Sequence, residues 1–255
     1  MVNAWQKLRR GAAVSVAFAL LHCLEPVWVN QNQASQWAIP RASGSSEAWD
    51  LSRHNAYQAT VFDENAAFFA SPSATPPALL PKIRRIVESC QLSSSTTILD
   101  VATGTGALLP FYEEKTSLAL VTGVDLSSGM LKHARERYPE ANFVQADILD
   151  FAAPQGQRFD RVVFNACFGN LWDPAAVLMN VADNLVAAGG LVVLSHPLGR
   201  PWLAGLRAKD PSMVPHDYPQ EKELRELLSR LPSLSLVCLQ DEADYYCAVL
   251  QKKSP

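Results

Sequence analysis

Asp100, Gly104 and Gly106 lie in the run Ile98-Leu99-Asp100-Val101-Ala102-Thr103-Gly104-Thr105-Gly106-Ala107, and nineteen residues beyond Gly106 comes a second acid, Asp125. Each acid closes or nearly closes an apolar run, and a glycine-rich turn separates the first run from a helical pattern. A carboxylate at the tip of the neighbouring parallel strand can accept hydrogen bonds from both hydroxyls of a ribose. The spacing therefore points to binding of a nucleoside-containing cofactor. A dinucleotide fingerprint wants a third small residue so that helix and strand pack closely, but Leu109 stands at that position. The Asp100 carboxylate would repel a pyrophosphate and suits a cofactor that carries an ammonium and a sulfonium group.

The elements that must hold these residues alternate strand and helix. Apolar positions at helical spacing (Ala56, Ala59, Phe62, Ala66, Phe69) predict a helix between Trp49 and Ala70, and Leu79 to Cys90 predicts a second. Strands are expected at about 97–102, 119–125, 142–145, 161–165 and 191–195. Helices are expected at 106–115, 128–138 with Ser127 as cap, 174–187 ended by Gly189-Gly190, and 221–230. Residues 197–219 read as irregular or partly helical. The last two β-type runs, 234–239 and 245–250, are joined by the short turn Asp241–Asp244 and must pair antiparallel. The fold class is α/β: a doubly wound, Rossmann-like, mostly parallel seven-stranded sheet with a C-terminal antiparallel hairpin.

Composition bounds the partners. The 255 residues carry a net charge of −3 and no long basic run, which excludes a basic nucleic-acid-binding face. Five dispersed cysteines form no C-x-x-C pair, so neither a metal site nor a disulfide framework is expected. Residues 1–46 differ from the rest: Lys7, Arg9, Arg10 and Arg41 against Glu25 give +3, followed by an apolar stretch from Ala12 to Leu24. That stretch is too short for a stable transmembrane anchor, which needs about 20 residues. It reads as a targeting segment, plastid before mitochondrion. The expected organisation is a transit segment at 1–46, a helical lid and first helix at 47–95, and a cofactor-binding core at 96–255.

These motifs together resemble the class I S-adenosylmethionine-dependent methyltransferases, in particular the small-molecule, ubiquinone-biosynthesis-like branch. The resemblance rests on D-x-x-x-G-x-G at Asp100 to Gly106, the acidic strand end Val124-Asp125-Leu126-Ser127, Ala146-Asp147-Ile148, Phe159-Asp160-Arg161-Val162-Val163, and Leu185 to Leu194. It implies S-adenosylmethionine as cofactor, with Ala102, Thr103, Gly104 and Gly106 approaching it through backbone. It further implies that Asp100 orients the methionine ammonium, Asp125 takes the ribose, Leu126, Met130 and Ile148 flank the adenine, Asp147 accepts from its amine, and Asn165 lines the sulfonium end.

Ligands of open parallel sheets bind beyond the carboxyl ends of the strands. Acceptor-facing groups are therefore sought at 165–173 and 195–200. His196 is placed for a general base, and Arg200 could pair with an anionic acceptor. Cys167 and the aromatic Phe62 are further substrate-side candidates, and Trp202, His216 and Tyr218 suggest an apolar or aromatic acceptor. The expected reaction moves a methyl group by in-line displacement onto a small O- or C-nucleophile. Two alternatives compete: a catalytically silent nucleoside-binding or assembly protein, and an NAD(P) oxidoreductase.

Overall fold

Alternation of apolar side chains along the strands builds two cores on opposite faces of one sheet. The computed structural model describes residues 49–254, so the expected targeting segment lies outside the described residues. The strands are β1 (Ile98–Val101), β2 (Val121–Asp125), β3 (Asn142–Gln145), β4 (Phe159–Asn165), β5 (Val186–His196), β6 (Leu234–Glu242) and β7 (Tyr245–Lys252). They form a seven-stranded sheet in the order β3-β2-β1-β4-β5-β7-β6. Pairing is parallel from β3 to β5 and antiparallel for β5–β7 and β7–β6. Leu99, Val101, Val162, Phe164, Val192 and Leu194 point into one core, and their sequence neighbours Ile98, Val163 and Val193 into the other. That is the period-two rule of a strand buried on both faces.

The helices are α1 (Leu51–Phe69), α2 (Leu80–Ser89), α3 (Leu109–Glu113), α4 (Ser128–Arg137), α5 (Pro174–Asn180), α6 (Gly199–Lys209) and α7 (Glu221–Ser229). α2 sets Ile83, Ile86 and Val87 into the second core with Leu109 and Tyr112 of α3. Ser127 caps α4 by accepting the Met130 N–H, as the sequence predicts.

Four elements differ from the sequence reading, each for a local reason. α3 is short, because the chain is still turning through Gly104 to Leu108 and Pro110 seats the first helical turn. α5 passes into a wider π-type turn at Val181–Leu185 and stops before Val186. Gly189-Gly190 therefore does not end that helix. It lies in a loop-out of β5, where register jumps from Phe159↔Val186 to Arg161↔Leu191 and Gly189 adopts φ +75°. Within residues 197–219, expected to be irregular or partly helical, residues 199–209 form the full helix α6.

The fourth difference concerns α1. Its buried residues are His54, Gln58, Asn65 and Ala66, whereas Ala56 of the expected apolar stripe is exposed. Gln58 Nε2 donates to the Met213 carbonyl at 2.7 Å, and a His54 ring nitrogen meets the Asn170 carbonyl at 2.8 Å. Tyr57 donates to Asp210 at 2.6 Å, and Asp63 accepts from Ser127 Oγ and Gly129 N–H at the start of α4. α1 is thus strapped across the carboxyl ends of the parallel strands largely by hydrogen bonds. Each is worth about 1 kcal/mol net, and water can replace them if the helix lifts.

Candidate cofactor site

Beneath α1 an open cleft lies over the carboxyl ends of β1 to β3 and the segment that follows β4. Its floor is built by turn chemistry. β1 ends at Val101, and the chain then reverses through Ala102 (φ +51°) and Gly104 (φ +57°). A Cβ added at Gly104 would meet nothing within 4 Å, so the backbone there faces open space. Gly106 differs: a Cβ would come within 2.7 Å of the Tyr138 ring. The second glycine therefore seats an aromatic ring, whereas Gly104 leaves open space.

Asp125 ends β2 with its carboxylate in the floor of the cleft. One oxygen accepts the Gly104 N–H and the other the Ser127 N–H, both at 2.8 Å. A carboxylate offers about four lone-pair sites, so acceptor capacity remains for a ligand. Burial raises its pKa from the ordinary value, and the backbone donors at Ser127, Gly104 and Leu126 oppose that rise. Asp100 lies below, within β1, and is buried. It accepts from Thr103 Oγ1 at 2.7 Å and from the Tyr112 hydroxyl at 3.3 Å, and burial pushes its pKa up to about 7. The Asp125 charge adds to the rise at Asp100, so the two carboxyls repel each other and this end of the strands favours positive charge.

Ala102, Asp125, Leu126, Asp147 and Ile148 of the sequence-predicted set come together as cleft walls. Asp147 accepts the Leu149 N–H on one oxygen and Asn55 Nδ2 on the other. Thr103 reaches the site indirectly, by binding Asp100. Met130 does not join the walls; its side chain is buried under α4. Asn165 lies at the end of β4, where its side-chain oxygen accepts from Ser195 Oγ at 3.1 Å.

The structure corrects the substrate-side expectations. His196 is buried, with Nδ1 accepting the Leu198 N–H at 3.2 Å and the ring packed 5.2 Å from Trp202 and 5.6 Å from Tyr218. Burial lowers its pKa to about 4. It organises the end of β5 and lies outside the cleft walls, so it is not placed as a general base. Arg200 donates from Nε to both oxygens of Asp241 at 2.9 Å, tying α6 to β6 rather than facing a ligand. Cys167 is buried with its thiol toward the Val101 carbonyl, and burial pushes its pKa far up, so a nucleophilic thiolate is disfavoured. Phe62 packs against Phe69 at 6.0 Å and against the first core, outside the cleft. Of the residues after β5, Tyr218 is a core residue bonded to the Ser195 carbonyl, and His216 supports the Trp172 carbonyl at 3.1 Å.

Residues with no role in the sequence reading supply the roof: Leu51, His54 and Asn55 of α1. Their signal was a polar helical spacing, His54, Gln58 and Asn65, running beside the apolar stripe. The segment Asn170 to Asp173 completes the wall, with Trp172 37% exposed and its ring 5.5 Å from His54.

Comparison with known proteins agrees with this geometry. Residues 98–190, from β1 into β5, match the family model described as a methyltransferase domain. The trans-aconitate 2-methyltransferase of Paracidovorax citrulli is 33% identical over 109 residues, 43% of this chain and 42% of that protein. The demethylmenaquinone methyltransferase of Thermus thermophilus is 36% identical over 118 residues, 45% and 53% of the two chains. Over this segment the chain is similar to methyltransferases. It spans about half the length of the curated relatives it matches. The fold is similar to that of magnesium protoporphyrin IX methyltransferase from Synechocystis with bound S-adenosylmethionine. The TM-score is 0.55 at 13% identity, over 82% of this chain and 100% of that one.

Proposed function

We propose that the chain binds S-adenosylmethionine in the cleft and transfers its methyl group to a small, uncharged, apolar or aromatic O- or C-nucleophile. The residues present suit the cofactor: Asp125 keeps acceptor capacity for a ribose hydroxyl, Gly104 leaves room along the backbone, and Leu126, Ala146, Ile148 and Val177 offer apolar surface for a flat ring. When bound, that cofactor supplies a methyl group on a positively charged sulfur. The chain contributes orientation through Asp125 and the Gly104 turn, a negative floor through Asp100, and exclusion of water through α1.

One observation carries the choice of acceptor. The described side chains around the cleft include three carboxylates, Asp125, Asp147 and Asp173, and neither lysine nor arginine. A polyanionic acceptor would enter unpaired and against repulsion, which costs several kcal/mol. Leu51, Leu171 and Trp172 instead present apolar and aromatic surface at the mouth. Incubation of the protein with methyl-labelled S-adenosylmethionine and a metabolite extract, separated by charge, tests this. Label in the neutral, apolar fraction supports the proposal. Label confined to polycarboxylates would overturn the acceptor class, and label in no small molecule would favour a silent binding protein.

A further inference from the structure

Asn55, in the first half of α1, faces Asp147 across the cleft. Its Nδ2 donates to Asp147 Oδ2 at 2.7 Å, and Asp147 is fixed in turn by the Leu149 N–H on Oδ1 at 2.9 Å. The two side chains meet beside Leu126, Ala146, Ile148 and Val177, the apolar slot that continues from Asp125 toward β3. A ribose held at Asp125 therefore sends its base into this slot, and the edge of the base meets Asn55 and Asp147.

A free carboxamide reads an amine and a carbonyl equally well, because half a turn about its terminal bond exchanges donor and acceptor. Asp147 removes that freedom. Flipping Asn55 would set its Oδ1 against the carboxylate and replace a charge-assisted hydrogen bond with repulsion between lone pairs. With one Nδ2 hydrogen on Asp147 the flip is blocked, and Oδ1 is the carboxamide acceptor held for a ligand. We infer that Asn55 is a specificity-determining residue for the base of the nucleoside, accepting from an exocyclic amine and rejecting a carbonyl at the same position. The neighbouring residue, His54, joins α1 to the Asn170 carbonyl, so Asn55 reaches the base only while α1 lies closed. Base recognition and closure of the helix are then one event. The inference rests on the proposal that the cleft holds a nucleoside cofactor.

Calorimetry on the full chain with S-adenosylhomocysteine and its hypoxanthine counterpart, S-inosylhomocysteine, separates the two claims. The wild-type protein is expected to prefer the adenine ligand. Asn55→Ala is expected to lower that preference about tenfold, the worth of one hydrogen bond in a partly desolvated site, chiefly by weakening the adenine ligand. Asn55→Ser should behave alike, and both variants should melt with the wild type because Asn55 is only partly buried and the remaining anchors of α1 stay in place. An unchanged preference in both variants, with S-adenosylhomocysteine still bound, would overturn the role of Asn55 and leave the cofactor site standing. Binding of neither ligand by the wild type would overturn the cofactor site itself.

Discussion

Replacing Asp100 by Asn is expected to stabilise the fold at neutral and alkaline pH while weakening the cofactor site. The Asp100 carboxyl is buried, meets only hydroxyl donors from Thr103 and Tyr112, and has its pKa raised by burial from 3.8 to about 7. A raised carboxyl pKa means that the folded state holds its proton more tightly than the unfolded state. Stability is then greatest below about pH 4 and falls as pH rises toward about 7, above which the loss is complete. The separation of the two values corresponds to at most about 4 kcal/mol, and relaxation around the charge should reduce this to about 2. Asn fills nearly the same volume, and the two hydroxyls can rotate so that one donates to its oxygen and one accepts from its amide. Urea denaturation from about pH 4.5 to about pH 8.5 should therefore show a small difference between variant and wild type at the acid end. At the alkaline end Asn should gain about 2 kcal/mol, some 4–8 °C in Tm for a domain of about 200 residues. The same substitution should weaken binding of S-adenosylmethionine, because the negative floor under the cleft is lost. A stability difference that does not change with pH, or an Asn variant less stable throughout, would refute the reasoning.

Other substitutions separate positions that the sequence treated alike. Gly106→Ala should destabilise the fold by about 2 kcal/mol or more in thermal melts, since its Cβ meets the Tyr138 ring and φ is +84°; Gly104→Ala, at φ +57° with open space, should cost about 1 kcal/mol and act mainly on ligand affinity. Arg200→Ala should lower stability by less than about 1 kcal/mol and leave KM for any identified acceptor unchanged, which steady-state kinetics would check. His196→Gln should leave the pH profile of kcat unchanged, as befits a neutral group outside the cleft; disappearance of one limb of that profile would restore His196 as a base.

The parts of this molecule that were legible in its sequence are those whose cause is local. The positions of β1 and β2 followed from apolar runs, and the cap on α4 from Ser127. The floor of the cleft followed from two acids and a glycine turn only residues apart. The roof did not. Asn55 meets Asp147 across 92 residues, and His54 meets Asn170 across 116. An isolated helix containing His54, Gln58 and Asn65 shows its alanines and phenylalanines first, and the carbonyls of Asn170 and Met213 hold His54 and Gln58 on the buried side. His196 and Arg200 misled for the complementary reason. Position after β5 suggested a ligand, but the hairpin β6–β7 and α6 supply Asp241 and Trp202, which occupy those side chains.

The central claim, that Asp125 anchors a nucleoside cofactor in the cleft, is tested most directly by calorimetric titration of S-adenosylmethionine into the wild-type protein and Asp125→Ala. The wild type should bind. The variant should lose about a hundredfold or more in affinity, the worth of two charge-assisted hydrogen bonds, while its melting shows it folded. Equal affinity in the two proteins would contradict the account.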